Sequence, residues 1–307
     1  MTNVRIELPE IITIATEISG PTIAVLGGVH GDEFEGVLAT RQIMTFAKKY
    51  LLKEKIKDVA PAHPVAWNAS TRESPIDGLN LARVFPGIPN GRPTEMVAHH
   101  ITQNLIAESD LVIDLHSAGK GFDMALLCGY QDSGSAISLQ SMKFAQTFAA
   151  PYTWRHGGAA APGRSLSAAA VLGIPSIYVE GRGGSQVRIA DLECYLNGVK
   201  RILHSLEMIS ESTVPLTTSL QVVGDGNTDG GISAPVAGYF TTRASVGDFV
   251  EIGDLLGEIL NENADTIAQI RAPQSGVVML VRRLSPVVIN DTLSIIAQIE
   301  KVKNSCE

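Results

Sequence analysis

His30 and Glu33 stand three positions apart in Gly27-Gly28-Val29-His30-Gly31-Asp32-Glu33, directly after the apolar run Thr22 to Leu26. Imidazole and carboxylate both suit Zn2+, and a strand-to-helix turn can aim both into the crevice where open α/β sheets bind ligands. The same residues also fit a glycine turn whose acids merely favour the N-terminus of the following helix. His116 follows Leu111-Val112-Ile113-Asp114-Leu115, again at the exit of an apolar run, as a ligand or as a satisfied core histidine. Asp114, two positions back, shares its strand face and can hold the imidazole in place. Glu180 ends a third run, Ile174 to Val179. A carboxylate there serves either as general base for a metal-bound water or as ion-pair partner of Arg182. The segment Thr71 to Gly87 is rich in proline, glycine and asparagine and reads as an ordered loop carrying Arg72 and Arg83. Such arginines usually face solvent, but beside a metal crevice they would polarise a carbonyl and grip a carboxylate bidentately.

The elements that position these residues alternate in type. Thr22 to Leu26, Leu111 to Leu115 and Pro175 to Val179 are short, apolar and rich in β-branched residues, as buried strands are. Val37, Leu38, Ile43, Met44 and Phe46 follow a helical period that ends near Lys48-Lys49, where cations suit the helix dipole. A second helix is expected from Thr94, with Val97, Ile101 and Leu105 on one side. Strands interleaved with helices predict a layered α/β domain with a largely parallel sheet. The remaining histidines have plain readings. His99 and His100 point about 100° apart on a helix and cannot share one metal. His63 precedes a proline in a loop, His204 lies in a helical run, and His156, beside Gly157-Gly158, is expected in solvent, with the border of the pocket as the alternative.

After about Ser210 turn-rich segments such as Gly224-Asp225-Gly226-Asn227 and short β-like runs replace the helices. Ala234-Pro235-Val236-Ala237-Gly238 recurs as Ala272-Pro273-Gln274-Ser275-Gly276, and Val250 to Leu255 recurs as Val288 to Leu293. Two such units predict a small pseudo-symmetric β module that resembles the biotinyl/lipoyl-carrier fold. The stretch Asn261 to Thr266, where a carrier would place its modified lysine, has none, so a carrier arm is excluded. The division expected is a catalytic domain over residues 1–212 and a β-rich module over residues 213–307.

Composition narrows the function classes. The 307 residues are 45% apolar and 18% charged, a globular mixture. Twenty-four Lys+Arg against 32 Asp+Glu give a charge of −8, the wrong sign for a nucleic-acid protein. Three widely spaced cysteines form neither a disulfide framework nor a zinc pair, and Arg5, Glu7 and Glu10 break up any signal peptide. The longest apolar stretch, Gly157 to Tyr178, is broken by Pro162, Arg164 and Pro175, so no membrane span is expected. A cytoplasmic protein without nucleic-acid or membrane partners is the expectation.

Residues 27–36 (GGVHGDEFEG), 71–87 (TRESPIDGLNLARVFPG), 114–119 (DLHSAG) and 173–181 (GIPSIYVEG) occur in the order found in the succinylglutamate desuccinylase/aspartoacylase family. The chain resembles that branch of the zinc carboxypeptidase-like hydrolases from about Ile23 to Gly184. The resemblance implies a layered α/β/α domain with a mixed, largely parallel sheet, and one Zn2+ held by His30, Glu33 and His116. It also implies Glu180 as general base, Arg72 as the arginine that polarises the scissile carbonyl, and Arg83 as the one that binds a substrate carboxylate. The family's usual Asn-Arg is Ala82-Arg83 here, and Asn80, two residues earlier, is the candidate to compensate. The implied activity is deacylation of an N-acyl amino acid or related small amide. A carboxypeptidase-type peptidase and a non-catalytic binding protein are the alternatives. For the β module the roles left open are capping the pocket and supporting homo-oligomer contacts.

Overall fold

The computed structural model describes residues 7–210, 215, 218–224 and 230–300. Strands β1 (Ile12–Ala15), β2 (Thr22–Gly27), β3 (Lys55–Val59) and β4 (Leu111–Ser117) are followed by β5 (Phe122–Met124), β6 (Leu127–Asp132), β7 (Tyr152–Gly157), β8 (Ser176–Gly181) and β9 (Leu220–Val223). Helices α1 (Phe34–Tyr50), α2 (Pro64–Ala69), α3 (Pro93–Asn104), α4 (Ala136–Phe148), α5 (Ser165–Val171) and α6 (Ile189–Ser205) connect them. The sheet order is β1-β3-β2-β4-β8-β6-β7-β9, with β1/β3 and β8/β6 antiparallel and the other neighbours parallel. It is the mixed, largely parallel sheet expected from the alternating pattern.

Both faces of the central strands are buried, which is why β2 and β4 read as continuous apolar runs rather than alternating ones. The period of two still sorts their side chains. Ile23, Val25, Ile113, Leu115, Ile177 and Val179 pack with α1, α4 and α6. Ala24, Leu26 and Val112 pack against α3 and α5 on the opposite face. Asp114, His116, Tyr178 and Glu180 follow the second parity, so the polar residues all emerge on the α3/α5 side. Helix α1 lies unusually close to β4: a Cβ on Gly36 would meet the Leu115 carbonyl oxygen at 2.2 Å. Any side chain at Gly36 would push α1, and Glu33 with it, away from His116.

The C-terminal part continues with β10 (Ile232–Ser233), β11 (Gly238–Thr242), β12 (Phe249–Val250), β13 (Leu255–Leu260), β14 (Thr266–Arg271), β15 (Gly276–Arg282), β16 (Pro286–Val287) and β17 (Thr292–Ile299). One small sheet runs β14-β13-β11-β16, while β10, β17, β15 and β12 form the other. The repeat maps β11 onto β15, β12 onto β16 and β13 onto β17. Each sheet therefore takes its two central strands from one unit and its edge strands from the other. The shared core of Phe240, Leu256, Ile259, Val278, Leu293 and Ile296 belongs to both halves. The hairpin turn at residues 261–265 occupies the carrier-lysine position and holds asparagine, glutamate, alanine and aspartate instead.

This β module is stitched into the catalytic sheet: β17 pairs with β9, and β15 pairs with β5 through Leu280 opposite Met124. Trp154, Leu127, Val277, Met279 and Ala297 form an apolar core along that seam. The expected boundary at residues 212/213 and the turn at 225–227 lie outside the described residues.

Candidate metal centre

Strand β2 ends at Gly27, and Gly28 turns the chain with φ +74°, a left-handed conformation that suits glycine. This turn sets His30 over the sheet edge and leaves Glu33 as the residue preceding α1. The segment after α2 is fastened to it, because the Gly31 N–H donates to the Thr71 carbonyl at 2.9 Å. That bond brings Arg72 alongside Glu33. Asn80 caps a single 3-10 turn, Leu81–Arg83, by accepting from the Ala82 N–H. The bridge from Phe85 to Gly163 then ties this loop to the entry of α5.

His30, Glu33 and His116 offer ligand atoms that all lie within 4.8 Å of one another. All three are buried, at 3%, 1% and 9% exposure. Nδ1 of His30 is 2.6 Å from Glu33 Oε1 and Nδ1 of His116 is 2.9 Å from Glu33 Oε2. The outer nitrogens have their own acceptors. Nε2 of His30 lies 3.0 Å from Asn80 Oδ1, and Nε2 of His116 lies 3.1 Å from Asp114 Oδ2. Both imidazoles are thus held from behind by oxygens while their Nδ1 atoms converge on one carboxylate. That arrangement is how histidine ligands are oriented for a metal. The donor set of two nitrogens and a carboxylate fits a zinc ion with a position left for water or substrate.

The three groups also set one another's charge. Burial opposes charge on Glu33, but His30 and His116 outweigh it and hold the carboxyl well below its usual range. Burial lowers His30. For His116 burial also disfavours the charge, yet Asp114 and Glu33 raise it well above the ordinary value. Beneath the site, Ser117 donates to Glu35 at 2.7 Å, Ser165 donates to Asp114, and the Tyr195 hydroxyl donates to the His116 carbonyl.

Glu180 stands beside this cluster. Its Oε2 is buried and without a hydrogen-bond partner, and burial pushes its carboxyl up to about 8, with Glu33 reinforcing and His116 and Arg72 opposing. Arg182 does not pair with it; that arginine binds Asp191 at 2.7 Å. Arg72 Nη1 lies 3.1 Å from Glu33 Oε1. Arg72, Arg83, His30, His116 and Glu180 all face one cavity of about 290 Å3. Asn80 faces an adjoining lobe of about 320 Å3, walled partly by Leu280 and Thr292 of the β module. Its side-chain oxygen is engaged with His30 and the Ala82 N–H, which makes it an orienting residue for the histidine.

Arg164 and Tyr178, which nothing in the sequence singles out, also line this cavity, as does His156. His156 is buried rather than exposed. Its Nε2 lies 2.6 Å from the Tyr178 hydroxyl and its Nδ1 lies 2.9 Å from the Gly224 carbonyl, with Trp154 tilted against the ring. Strand parity puts Tyr178, two positions before Glu180, on the same strand face. His63 is also buried, at the start of α2, facing Thr94. Among the described residues no helix is long and apolar enough to cross a membrane.

Known proteins are similar to this chain along most of its length. N-alpha-acetyl-L-2,4-diaminobutyric acid deacetylase of Halomonas elongata is 26% identical over 292 residues, covering 94% of this chain and 85% of that protein. Two solved structures share the fold. The product-bound ectoine utilization protein EutE (DoeB) of Ruegeria pomeroyi aligns with a TM-score of 0.87 at 23% identity, over 95% of this chain and 93% of that one. A succinylglutamate desuccinylase of Silicibacter sp. TM1040 aligns with a TM-score of 0.85 at 24% identity, over 94% and 88%. The profile of the succinylglutamate desuccinylase/aspartoacylase catalytic domain matches residues 19–206, which include the whole of the His30, Glu33, His116 and Glu180 constellation. The chain belongs to the succinylglutamate desuccinylase/aspartoacylase family.

Proposed function

We propose that the protein is a zinc-dependent amidohydrolase that removes the acyl group from an N-acylated amino acid or a related small amide. The observation that carries this reading is the convergence of the His30 and His116 Nδ1 atoms on Glu33, with the unpartnered carboxyl of Glu180 on the neighbouring strand. The Halomonas elongata deacetylase, which matches nearly the whole chain, supports the reaction class. A zinc ion held by His30, Glu33 and His116 would supply a Lewis acid for the carbonyl and a positive charge that favours ionised Glu180 and an acidified water.

The chain's own groups do the rest. Glu180 takes a proton from the attacking water and passes it to the departing nitrogen. Arg72 donates to the carbonyl oxygen as that atom gains charge. Arg83 grips the carboxylate of the amino-acid half, and the buried faces of β4 and β8 keep bulk water away. A carboxypeptidase-type peptidase is the second reading. It is disfavoured by Leu280 and Thr292, which wall the lobe where a longer peptide would have to continue.

Metal analysis of the purified protein, with turnover of N-acetyl, N-succinyl and N-formyl amino acids measured against dipeptides, tests the proposal. About one zinc per chain and hydrolysis of an acyl amino acid are expected. Zinc with cleavage only of peptides would transfer the assignment to a peptidase, and no metal with no turnover would leave a binding protein.

A further inference from the structure

The deacylase reading leaves the substrate's side chain open, and the space beyond Glu180 narrows it. On β8 the side chains of Glu180, Tyr178 and Ser176 alternate onto one face, a row about 13 Å long at roughly 3.3 Å per residue. Glu180 and Tyr178 line the catalytic cavity, and Ser176 lines a second cavity of about 790 Å3. The two cavities share Gln131, Ala159, Ala160 and Leu166 as walls. The Tyr178 ring lies across bare backbone, because a Cβ on Gly129 would sit 2.1 Å from it. That glycine keeps the floor between the cavities level.

The second cavity is apolar in character. Phe85, Ile137, Ala168, Val171, Leu172 and Ile174 supply much of its wall, and none of its lining residues carries a charge. The two arginines able to hold a carboxylate, Arg83 and Arg164, both face the catalytic cavity that leads to it. Carboxylate and side chain leave the same carbon of an amino acid. A carboxylate at these arginines leaves its side chain in the cavity that Tyr178 lines and that shares walls with the apolar space. The acyl group is left with the adjoining lobe walled partly by Leu280 and Thr292.

Resting on the deacylase reading, we infer that the substrates are short-chain N-acyl amino acids with a long aliphatic or aromatic side chain, whose carboxylate meets Arg83 and Arg164. The side chain crosses Tyr178 and ends in the apolar cavity. A side-chain ammonium finds no carboxylate among the residues lining that cavity.

Two measurements on the zinc-loaded full chain test this. The first compares kcat/KM for the N-acetyl derivatives of 2-aminooctanoate, phenylalanine, alanine and 2,4-diaminobutyrate, and for N-octanoylalanine. The second titrates the free amino acids and reads binding without turnover. The expected result is a preference for 2-aminooctanoate or phenylalanine over alanine by roughly tenfold or more in both, the scale of added apolar contact in a pocket. Ala160→Trp, which narrows the passage, should cut that ratio about tenfold. A preference for alanine or diaminobutyrate, or a ratio unmoved by Ala160→Trp, overturns the assignment. A preference that follows the octanoyl chain gives the cavity to the acyl group and overturns it too. Ratio-preserving binding with no turnover of any N-acyl amino acid would sink the deacylase reading while leaving the side-chain cavity standing.

Discussion

His116 and Glu180 are register partners on the neighbouring parallel strands β4 and β8. Neighbouring strands lie about 4.8 Å apart, so a metal-ligand candidate and a carboxyl are set side by side by backbone pairing alone. The same ladder pairs Asp114 with Tyr178, one step inside, so the residue orienting His116 and the residue flooring the cavity are also neighbours. This half of the candidate site is thus held by sheet register rather than by loops, which suits groups that must stay aligned through a reaction.

Glu180→Gln keeps the shape of the side chain and removes the base. With Glu180 as the proton carrier, the variant should bind metal normally while kcat falls by about 10²-fold or more. Near-normal kcat in a steady-state assay would assign Glu180 a packing role instead.

The acceptors behind the imidazoles lead to a graded expectation for metal affinity. His116→Ala removes a ligand and should leave the purified protein largely free of zinc. Asp114→Asn and Asn80→Ala leave the ligands in place but release Nε2 of His116 or His30, and each should weaken zinc binding about 10- to 100-fold. Competition with a chromogenic chelator reads all three. Equal affinity in wild type and Asp114→Asn would mean that the 3.1 Å contact to His116 does not orient the ring.

Arg83 is tested by substrate choice. Arg83→Ala should raise KM for an acyl amino acid by roughly tenfold or more, the scale of a lost charged hydrogen bond, and much less for the corresponding amide. Equal losses would give Arg83 to loop structure, where it already donates to the Ala82 carbonyl at 3.2 Å. Ala82→Asn adds an amide beside it in the same cavity and should lower KM for carboxylate-bearing substrates only.

The strand exits were legible because a buried parallel strand is a continuous apolar run, so a histidine or glutamate at its end stands out from the pattern. The repeat in the β module was legible for a similar reason, as a repeated unit copies its turn residues. The contact of Asn80 with His30 left no signal because it spans fifty positions in the chain and follows no local period. Arg164 and Tyr178 do not stand out because an arginine before a helix and a strand tyrosine each look ordinary until the fold turns them to one cavity, and the burial of His156 depends on packing against Trp154 and Tyr178 that follows no local period. The seam between β5 and β15 left no trace either, since Phe122–Met124 is too short to show a strand period.

Stability should depend on His63 in mild acid. Burial lowers its pKa to about 4 from an ordinary 6.5, so the folded state keeps it neutral where the unfolded chain binds a proton. The folded pKa is the lower one. The cost is therefore absent above about pH 6.5, grows as pH falls through that value, and levels off below about 4. At about pH 5 it amounts to roughly 2 kcal/mol. Urea unfolding of wild type and His63→Gln at about pH 7.5 and pH 5 should show the variant gaining about that much relative to wild type in the acid. A difference that does not change with pH would mean His63 titrates normally in the fold.

The β module should be inseparable from the catalytic part despite its own core. Cutting the chain within residues 211–214 would strip β9 from β7 and β15 from β5 and expose the seam. Trp154 and Leu127 are at most 1% exposed there, and Met124 is 4% exposed. Each such side chain is worth about 1.5–3 kcal/mol when fully buried, and a whole domain has only about 5–15 kcal/mol in hand. The loss of a few of them is comparable to the total. The truncated chain is therefore expected to aggregate or to lack near-UV circular dichroism, and to bind zinc poorly because β5 and the Ser117-to-Met124 segment lose their backstop. Leu280→Ala gives the same test in an intact chain. It should cost about 2–5 kcal/mol as a buried leucine cavity and, by opening the wall of the acyl lobe, raise activity on longer acyl groups relative to acetyl. A folded, zinc-loaded truncation with unchanged substrate preference would make the module a separate body with no part in the pocket.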